Sequence, residues 1–224
     1  MQTPAEKYLV EKLVSLLISN NPDASPQQIL DVGAGRSVAI EDQLTNAGCA
    51  YICDRIDVED CTVQFPTVRN CWHGPIDKMT SVPSGEYSAV FANYVIEHIE
   101  NVLGAAREVF RVLRPGGLFI TTLPNTSAPE FVLAKYTPLW FHKLIRREHS
   151  WETHYAYGDI PALIETFTAA GLEVEHVNRW PFIEGYLWKY PLAKHIGRLY
   201  DKIISICRIE RFMGNGCLVL KKPM

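Results

Sequence analysis

The 224-residue chain has no apolar run of about 18 residues or more, the length that a membrane-crossing helix needs. It has no basic excess: 22 Lys and Arg stand against 25 Asp and Glu, a formal net charge of −3. A non-specific nucleic-acid binder is usually strongly basic, so no nucleic-acid partner is expected. The cysteines at 49, 53, 61, 71, 207 and 217 form no C-x-x-C pair, and no histidine spacing completes a zinc site. Reduced thiols and a cytoplasmic location are the expectation. The apolar stretch from Tyr8 to Ile18 is interrupted by Glu11 and Lys12 and no small-residue cleavage site follows, so it does not read as a secretory signal. Internal repeats, low-complexity tracts and an interdomain linker are all missing. With 47% hydrophobic residues, the chain reads as one α/β domain over residues 1–224.

Its elements can be read in order. Thr3, Pro4 and Glu6 have the spacing of a capping box with proline at the first helical position, so a helix is predicted over 3–20. The segment "QILDV" reads as a buried strand, Val38 to Ala47 as a helix closed by Gly48, and "AYICD" as a second strand ending at Asp54. A third strand falls within Thr67 to His73, and "EYSAVFANYVI" carries a fourth. Val102, Leu103, Ala106, Val109, Phe110 and Leu113 mark an amphipathic helix that stops at Pro115-Gly116-Gly117, before a fifth strand, "LFITTLP". Strands alternating with helices predict a mainly parallel sheet with helices on both faces. The alternation lapses over 125–158, which reads as a lid insertion. A helix near 159–170, the strand "LEVEHVN", a second aromatic insertion over 180–213 and a last strand, "GCLVLKK", complete the chain.

The turn after the first strand is the chemical clue. "ILDVGAGRS", Ile29 to Ser37, brings a strand to a carboxylate and then through two glycines. In open α/β sheets, ligands bind at the carboxyl ends of the strands. Glycine permits a tight turn and close backbone approach. A carboxylate at the end of the second strand, read here as Asp54, can accept hydrogen bonds from both ribose hydroxyls. The dinucleotide fingerprint G-x-G-x-x-G requires glycine at position 38, which is Val38. That counts against NAD. S-adenosylmethionine lacks phosphate and carries an ammonium that an acid such as Asp31 suits.

Four features occur in order: "ILDVGAGRS", the Asp54 strand end, "VIEHI" and "REVFRVLRPGGLFITTLPN". Together they resemble the class I S-adenosylmethionine-dependent methyltransferases, nearest the small-molecule branch that includes quinone-biosynthesis enzymes. The resemblance implies a Rossmann-like seven-stranded sheet of order 3-2-1-4-5-7-6 with the last strand antiparallel, and a cofactor-binding core over 28–124. It implies S-adenosyl-L-methionine as cofactor. Gly33, Ala34 and Gly35 would pack on its methionine part, Asp31 would position its ammonium, and Asp54 would hold the ribose. Arg55 would flank the adenosine, and the backbone through Ile76 and Asp77 would lie by the adenine. Asn93, with Tyr94 beside it, would lie near the methionine moiety or the methyl group.

Some relatives carry E-x-x-E-H at the end of the fourth strand and bind a divalent cation with it. Here Tyr94 replaces the first carboxylate, so no metal site is expected. His98 is then a hydrogen-bonded loop residue or an acceptor-site base. Among His142, His149 and His154, a Thr-His pair like that of the quinone-pathway enzymes favours His154 as base. Glu148, Trp151, Tyr155 and Tyr157 could line the same pocket. Leu192, Ile196, Leu199, Ile203 and Ile206 recur at helical spacing, with Lys194, Arg198, Lys202 and Arg208 on other positions. The segment 186–211 therefore suits a cover for the sheet edge, a homodimer contact or peripheral membrane contact. The expected activity is methyl transfer to a small-molecule acceptor, at oxygen of a phenol, sugar or lipid-linked compound. The alternatives are a macromolecular methyltransferase acting on RNA or protein, a non-catalytic S-adenosylmethionine-binding protein, and a nicotinamide oxidoreductase.

Overall fold

The computed structural model describes residues 2–19, 25–129 and 155–224. Its sheet comprises β1 (Gln27–Val32), β2 (Tyr51–Asp57), β3 (Val68–His73), β4 (Tyr87–Asn93), β5 (Leu113–Pro124), β6 (Glu173–Trp180) and β7 (Asn215–Lys221). The order is β3-β2-β1-β4-β5-β7-β6. Strands β1 to β5 pair in parallel, and β7 runs antiparallel to both β5 and β6. This is the topology that the sequence implies.

Alternation along each strand separates two cores. Leu30 and Val32 of β1 face α3 (Val102–Val112) and α4 (Ile160–Ala169), through Ala105, Val109, Leu163 and Phe167. Ile29 faces the other side, where Leu9 and Leu13 of α1 (Pro4–Ser19) and Leu44 of α2 (Ala39–Asn46) pack. The capping box forms as read: Thr3 Oγ1 accepts from the Glu6 amide at 3.1 Å, and Glu6 Oε2 accepts from the Thr3 amide at 2.6 Å. Asp159 caps α4, accepting from the Ala162 amide at 2.9 Å. Beyond β6, α5 (Ile183–Tyr186) and α6 (Pro191–Cys207) form a helical pair, and Ile204 of α6 is buried yet belongs to neither core.

Two boundaries differ from the sequence reading. Strand β2 continues three residues past Asp54 to Asp57, pairing Asp31 with Arg55 and Val32 with Ile56. Strand β5 begins at Leu113, so Pro115-Gly116-Gly117 lies inside it as an irregularity where Tyr87 pairs with Leu113 and Ala89 with Leu118. Glycine is required there: a Cβ at Gly117 would sit 2.9 Å from both the Arg114 and Tyr87 carbonyl oxygens. The lid read over 125–158 falls mostly in residues 130–154, outside the described residues.

Candidate functional site

A cleft of about 460 Å³ opens at the carboxyl edge of the sheet. It spans the ends of β1 and β4, where the strand order reverses, and extends past β2 and β3. This is the position where open α/β sheets bind ligands.

Gly33 and Gly35 form its wall, with φ of 69° and 52°, in the left-handed region that glycine adopts freely. A Cβ on Gly33 would lie 2.3 Å from Val95 Cγ2, so the loop is pressed against the β4 end. A Cβ on Gly35 would meet nothing within 4 Å, because that glycine faces open space. Opposite stands Asp57. Its Oδ2 accepts from the Gly35 amide and its Oδ1 from the Glu59 amide, both at 2.8 Å. The carboxylate is therefore fixed in place at the rim, with further lone pairs available to a ligand.

Asp54, the acid that the sequence reading chose, does not line this cleft. It is fully buried on the α3 side of the sheet, paired with Leu30 in mid-strand. There it accepts from Arg69 Nε at 3.0 Å, from the Asn70 amide and Nδ2 at 3.1 Å each, and from the Tyr87 hydroxyl at 2.8 Å. Burial and this carboxylate push the Tyr87 phenol well above its ordinary range, so the phenol remains a donor.

Arg55 also stands elsewhere than expected. Its guanidinium is buried beneath the glycine loop, where Nη2 donates to the carbonyls of Ala34 at 2.8 Å, Gly35 at 3.3 Å and Ser37 at 2.6 Å. Asp31 and Glu41 flank it at 3.9 and 3.5 Å. Burial and the neighbouring Glu41 raise the Asp31 carboxyl well above the ordinary aspartate value of 3.8, against the opposing pull of Arg55. Asp31 is buried under the loop and is not on the cleft surface, while Ala34 shapes the same turn from inside.

Ile76 and Asp77 line the cleft in a short helical turn after β3, and Asp77 Oδ2 accepts from Asn101 Nδ2 at 3.1 Å. Asn93 and Tyr94 line it at the β4 end. Tyr94 has φ of 56°, and Thr122 Oγ1 accepts from its amide at 3.0 Å. His98 lines the cleft from the next turn, where its amide donates to the Val95 carbonyl at 3.0 Å. Glu97 points into the protein instead, and its carbonyl accepts from the Tyr155 amide at 3.0 Å. His154, with His142, His149, Glu148 and Trp151, lies outside the described residues. Tyr155 and Tyr157 are described; the Tyr157 hydroxyl donates to the Pro124 carbonyl at 2.9 Å and so serves the core.

Several residues join the site unannounced by the sequence reading. Glu6, besides capping α1, accepts from Asn93 Nδ2 through Oε1 at 3.1 Å. Thr122 donates to Asn93 Oδ1 at 2.7 Å. Thr3 Oγ1 lies 3.0 Å from the Tyr94 hydroxyl, which also bonds Asn215, whose Nδ2 donates to the Tyr186 hydroxyl at 3.2 Å. The N-terminal helix is thus tied to the cleft. The signal was visible, since the capping-box glutamate has a second oxygen to offer.

The electrostatics are one-sided. Asp57, Glu59, Asp77 and Glu100 line the cleft, and among the described residues no Lys or Arg does. A pyrophosphate would meet like charge. A ligand bearing cationic centres would meet opposite charge.

Comparison with known proteins agrees. Residues 5–177 match the family described as the methyltransferase domain. The chain belongs to this family. The methyltransferase domain also aligns at 32% identity over 125 residues with the "Probable S-adenosylmethionine-dependent methyltransferase" of Mycolicibacterium smegmatis (strain ATCC 700084 / mc(2)155). That alignment covers 54% of this chain and 43% of the relative, so the chain spans less than half of that relative's length. A geranyl diphosphate methyltransferase solved with GPP and sinefungin superposes with a TM-score of 0.61 at 15% identity, covering 97% of this chain and 78% of that one. Phosphoethanolamine N-methyltransferase 2 of Haemonchus contortus, solved with S-adenosyl-L-methionine, gives 0.59 at 13% identity, covering 98% and 56%. These structures share the fold of the methyltransferase domain.

The residues present fit S-adenosylmethionine, the donor that the sequence resemblance implies. Asp57 is a fixed acceptor for a diol, Ile56, Val58, Ile76 and Ile99 supply apolar surface for a purine, and the acidic rim suits a sulfonium and an ammonium.

Proposed function

We propose that the chain binds S-adenosylmethionine in this cleft and transfers its methyl group to oxygen of a small-molecule acceptor. The cleft's four carboxylates, with no Lys or Arg beside them among the described lining residues, support this choice of donor. Asp57 takes the ribose-binding role first read at Asp54. Gly33 and Gly35 hold the methionine end, Ile76 and Asp77 the adenine end, and Asn93 and Tyr94 the side toward the acceptor. Arg55 and Asp31 act from beneath, by fixing the loop.

The sulfonium supplies an already activated methyl group. The protein's task is to position the acceptor, for which effective molarities of roughly 10⁵ to 10⁸ M are attainable. His98 lines the cleft, which supports its reading as the base that takes the acceptor's proton, a contribution of typically about 10² to 10⁴. His154 remains a second candidate from the sequence. The acidic balance of chain and cleft favours a small acceptor over RNA.

The test is transfer of a labelled methyl group from S-adenosylmethionine into an extract separated into small molecules, RNA and protein. Label is expected in the small-molecule fraction, with transfer slowed at least about tenfold in His98→Asn and donor affinity unchanged. Label in RNA or protein alone would replace the acceptor assignment. Donor binding with no transfer to any fraction would favour the non-catalytic alternative.

A further inference from the structure

Helix α6 divides into three faces. Its inward face holds Ala193, Gly197, Tyr200, Asp201 and Ile204. Gly197 permits that contact: a Cβ there would lie 2.9 Å from the Glu184 amide nitrogen. Asp201 accepts from the Ile183 and Glu184 amides at 2.9 Å each, capping α5, and the Tyr200 hydroxyl donates to the Phe212 carbonyl at 3.1 Å. The helix is therefore anchored with Ile204 as the one large aliphatic side chain it buries.

The other large aliphatic side chains are on a second face. Against the described residues, Leu192 is 85% exposed, Ile196 72% and Ile206 71%, with Leu199 and Ile203 also exposed. At 3.6 residues per turn the five fall within about 80° of arc, a continuous stripe along the whole helix. Trp188 and Tyr190, both exposed, extend it at its N-terminal end, with Lys189 Nζ 5.4 Å from the Trp188 ring centroid. On the third face lie Lys194 and Arg198, which pair with Glu184 of α5 at 3.9 and 2.6 Å, and Lys202. Between residues 186 and 211 there are six Lys and Arg against two Asp and Glu, in a chain of net charge −3. One of those two acids, Asp201, is spent on capping α5.

We infer that this face docks the protein on an anionic lipid bilayer. The apolar stripe would enter the acyl boundary, the basic face would meet lipid phosphates, and Trp188 and Tyr190 would sit at headgroup level. Charge selects this occupant over a second copy, because self-pairing would set a basic helix against itself. No described helix is long and apolar enough to cross a membrane, so the contact is peripheral. The docking hairpin reaches the cleft through Tyr186, Asn215 and Tyr94, which sets the cleft on the same side of the sheet edge as the hairpin's anchor. The inference rests on the exposed face alone and is independent of methyl transfer.

The experiment is sedimentation of the full chain with vesicles, together with its solution mass. Binding is expected to phosphatidylcholine vesicles containing phosphatidylglycerol and not to phosphatidylcholine alone, and to weaken as salt rises. Leu199→Glu with Ile203→Glu should abolish it. Lys189→Gln and Lys202→Gln, which leave the apolar face intact, should each weaken it about fivefold. Absence of binding to anionic vesicles would overturn the proposal, as would equal binding by the variants. A wild-type dimer that Leu199→Glu with Ile203→Glu converts to monomer would overturn it in favour of a subunit interface.

Discussion

Asp57→Ala is expected to weaken S-adenosylhomocysteine binding by about 10² or more, because hydrogen bonds to a charged acceptor are worth about 1.5–3 kcal/mol each and a ribose offers two hydroxyls. The variant also loses the acceptor that fixes the Gly35 amide at 2.8 Å, so the loop loosens. Asp54→Ala is the matched control. It strands the buried Tyr87 hydroxyl and one side of Arg69, Asn70 and their neighbours, and should cost about 3 kcal/mol of stability while leaving affinity within about threefold. Titration calorimetry with thermal unfolding of both variants separates the effects. If Asp54→Ala abolished binding and Asp57→Ala did not, the assignment of the strand end would be reversed.

Arg55→Met should destabilise the fold by about 3–5 kcal/mol, and it should weaken the same ligand about tenfold through the loop. The replacement removes one member of a buried set and leaves the rest. The Ala34, Gly35 and Ser37 carbonyls lose a shared donor, and Asp31 and Glu41 lose the only cation near them among the described residues. Replacing a whole buried ion cluster with apolar groups can be harmless, whereas removing a single partner is not. Arg55→Lys keeps the charge but not the planar fork, so it should fall between wild type and Arg55→Met. Unfolding midpoints in denaturant measure this, and a Met variant as stable as wild type would show that the guanidinium does not hold the loop.

The contrast between Asp54 and Asp57 shows what the sequence could reveal. A mainly parallel sheet with helices on both faces was legible from β-α alternation and right-handed crossovers, whereas the strand order came with the family resemblance that the glycine loop and the Pro-Gly-Gly segment carry. The end of β2 was hidden by "CDRIDVED", a run so charged that it reads as loop. Parallel strands are usually near-continuous apolar runs. This one tolerates Asp54 and Arg55 because Arg69 and Tyr87 satisfy the first and the glycine-loop carbonyls satisfy the second. A usable signal was present: Ile56-Asp57-Val58 repeats the apolar-acid-apolar ending of Leu30-Asp31-Val32. In α6, periodicity gave the helix but not its orientation. Gly197, small enough to approach the α5 backbone, sets an inward face that buries Ile204 and leaves Leu192, Ile196, Leu199, Ile203 and Ile206 outside. Leu103 is a smaller case, read as a core position of α3 but 39% exposed, because at 3.6 residues per turn it falls about 120° from the centre of the stripe that Val102, Ala105, Ala106, Val109 and Val112 bury.

The central claim is that the acidic cleft between β1 and β4 holds a nucleoside with cationic centres rather than a dinucleotide. Thermal unfolding of the wild-type chain with S-adenosylmethionine, S-adenosylhomocysteine and NAD in separate titrations tests it most directly. Either of the first two at about 100 times its dissociation constant should add roughly 2.7 kcal/mol, and NAD should add nothing. Stabilisation by NAD with none by S-adenosylhomocysteine would contradict the account.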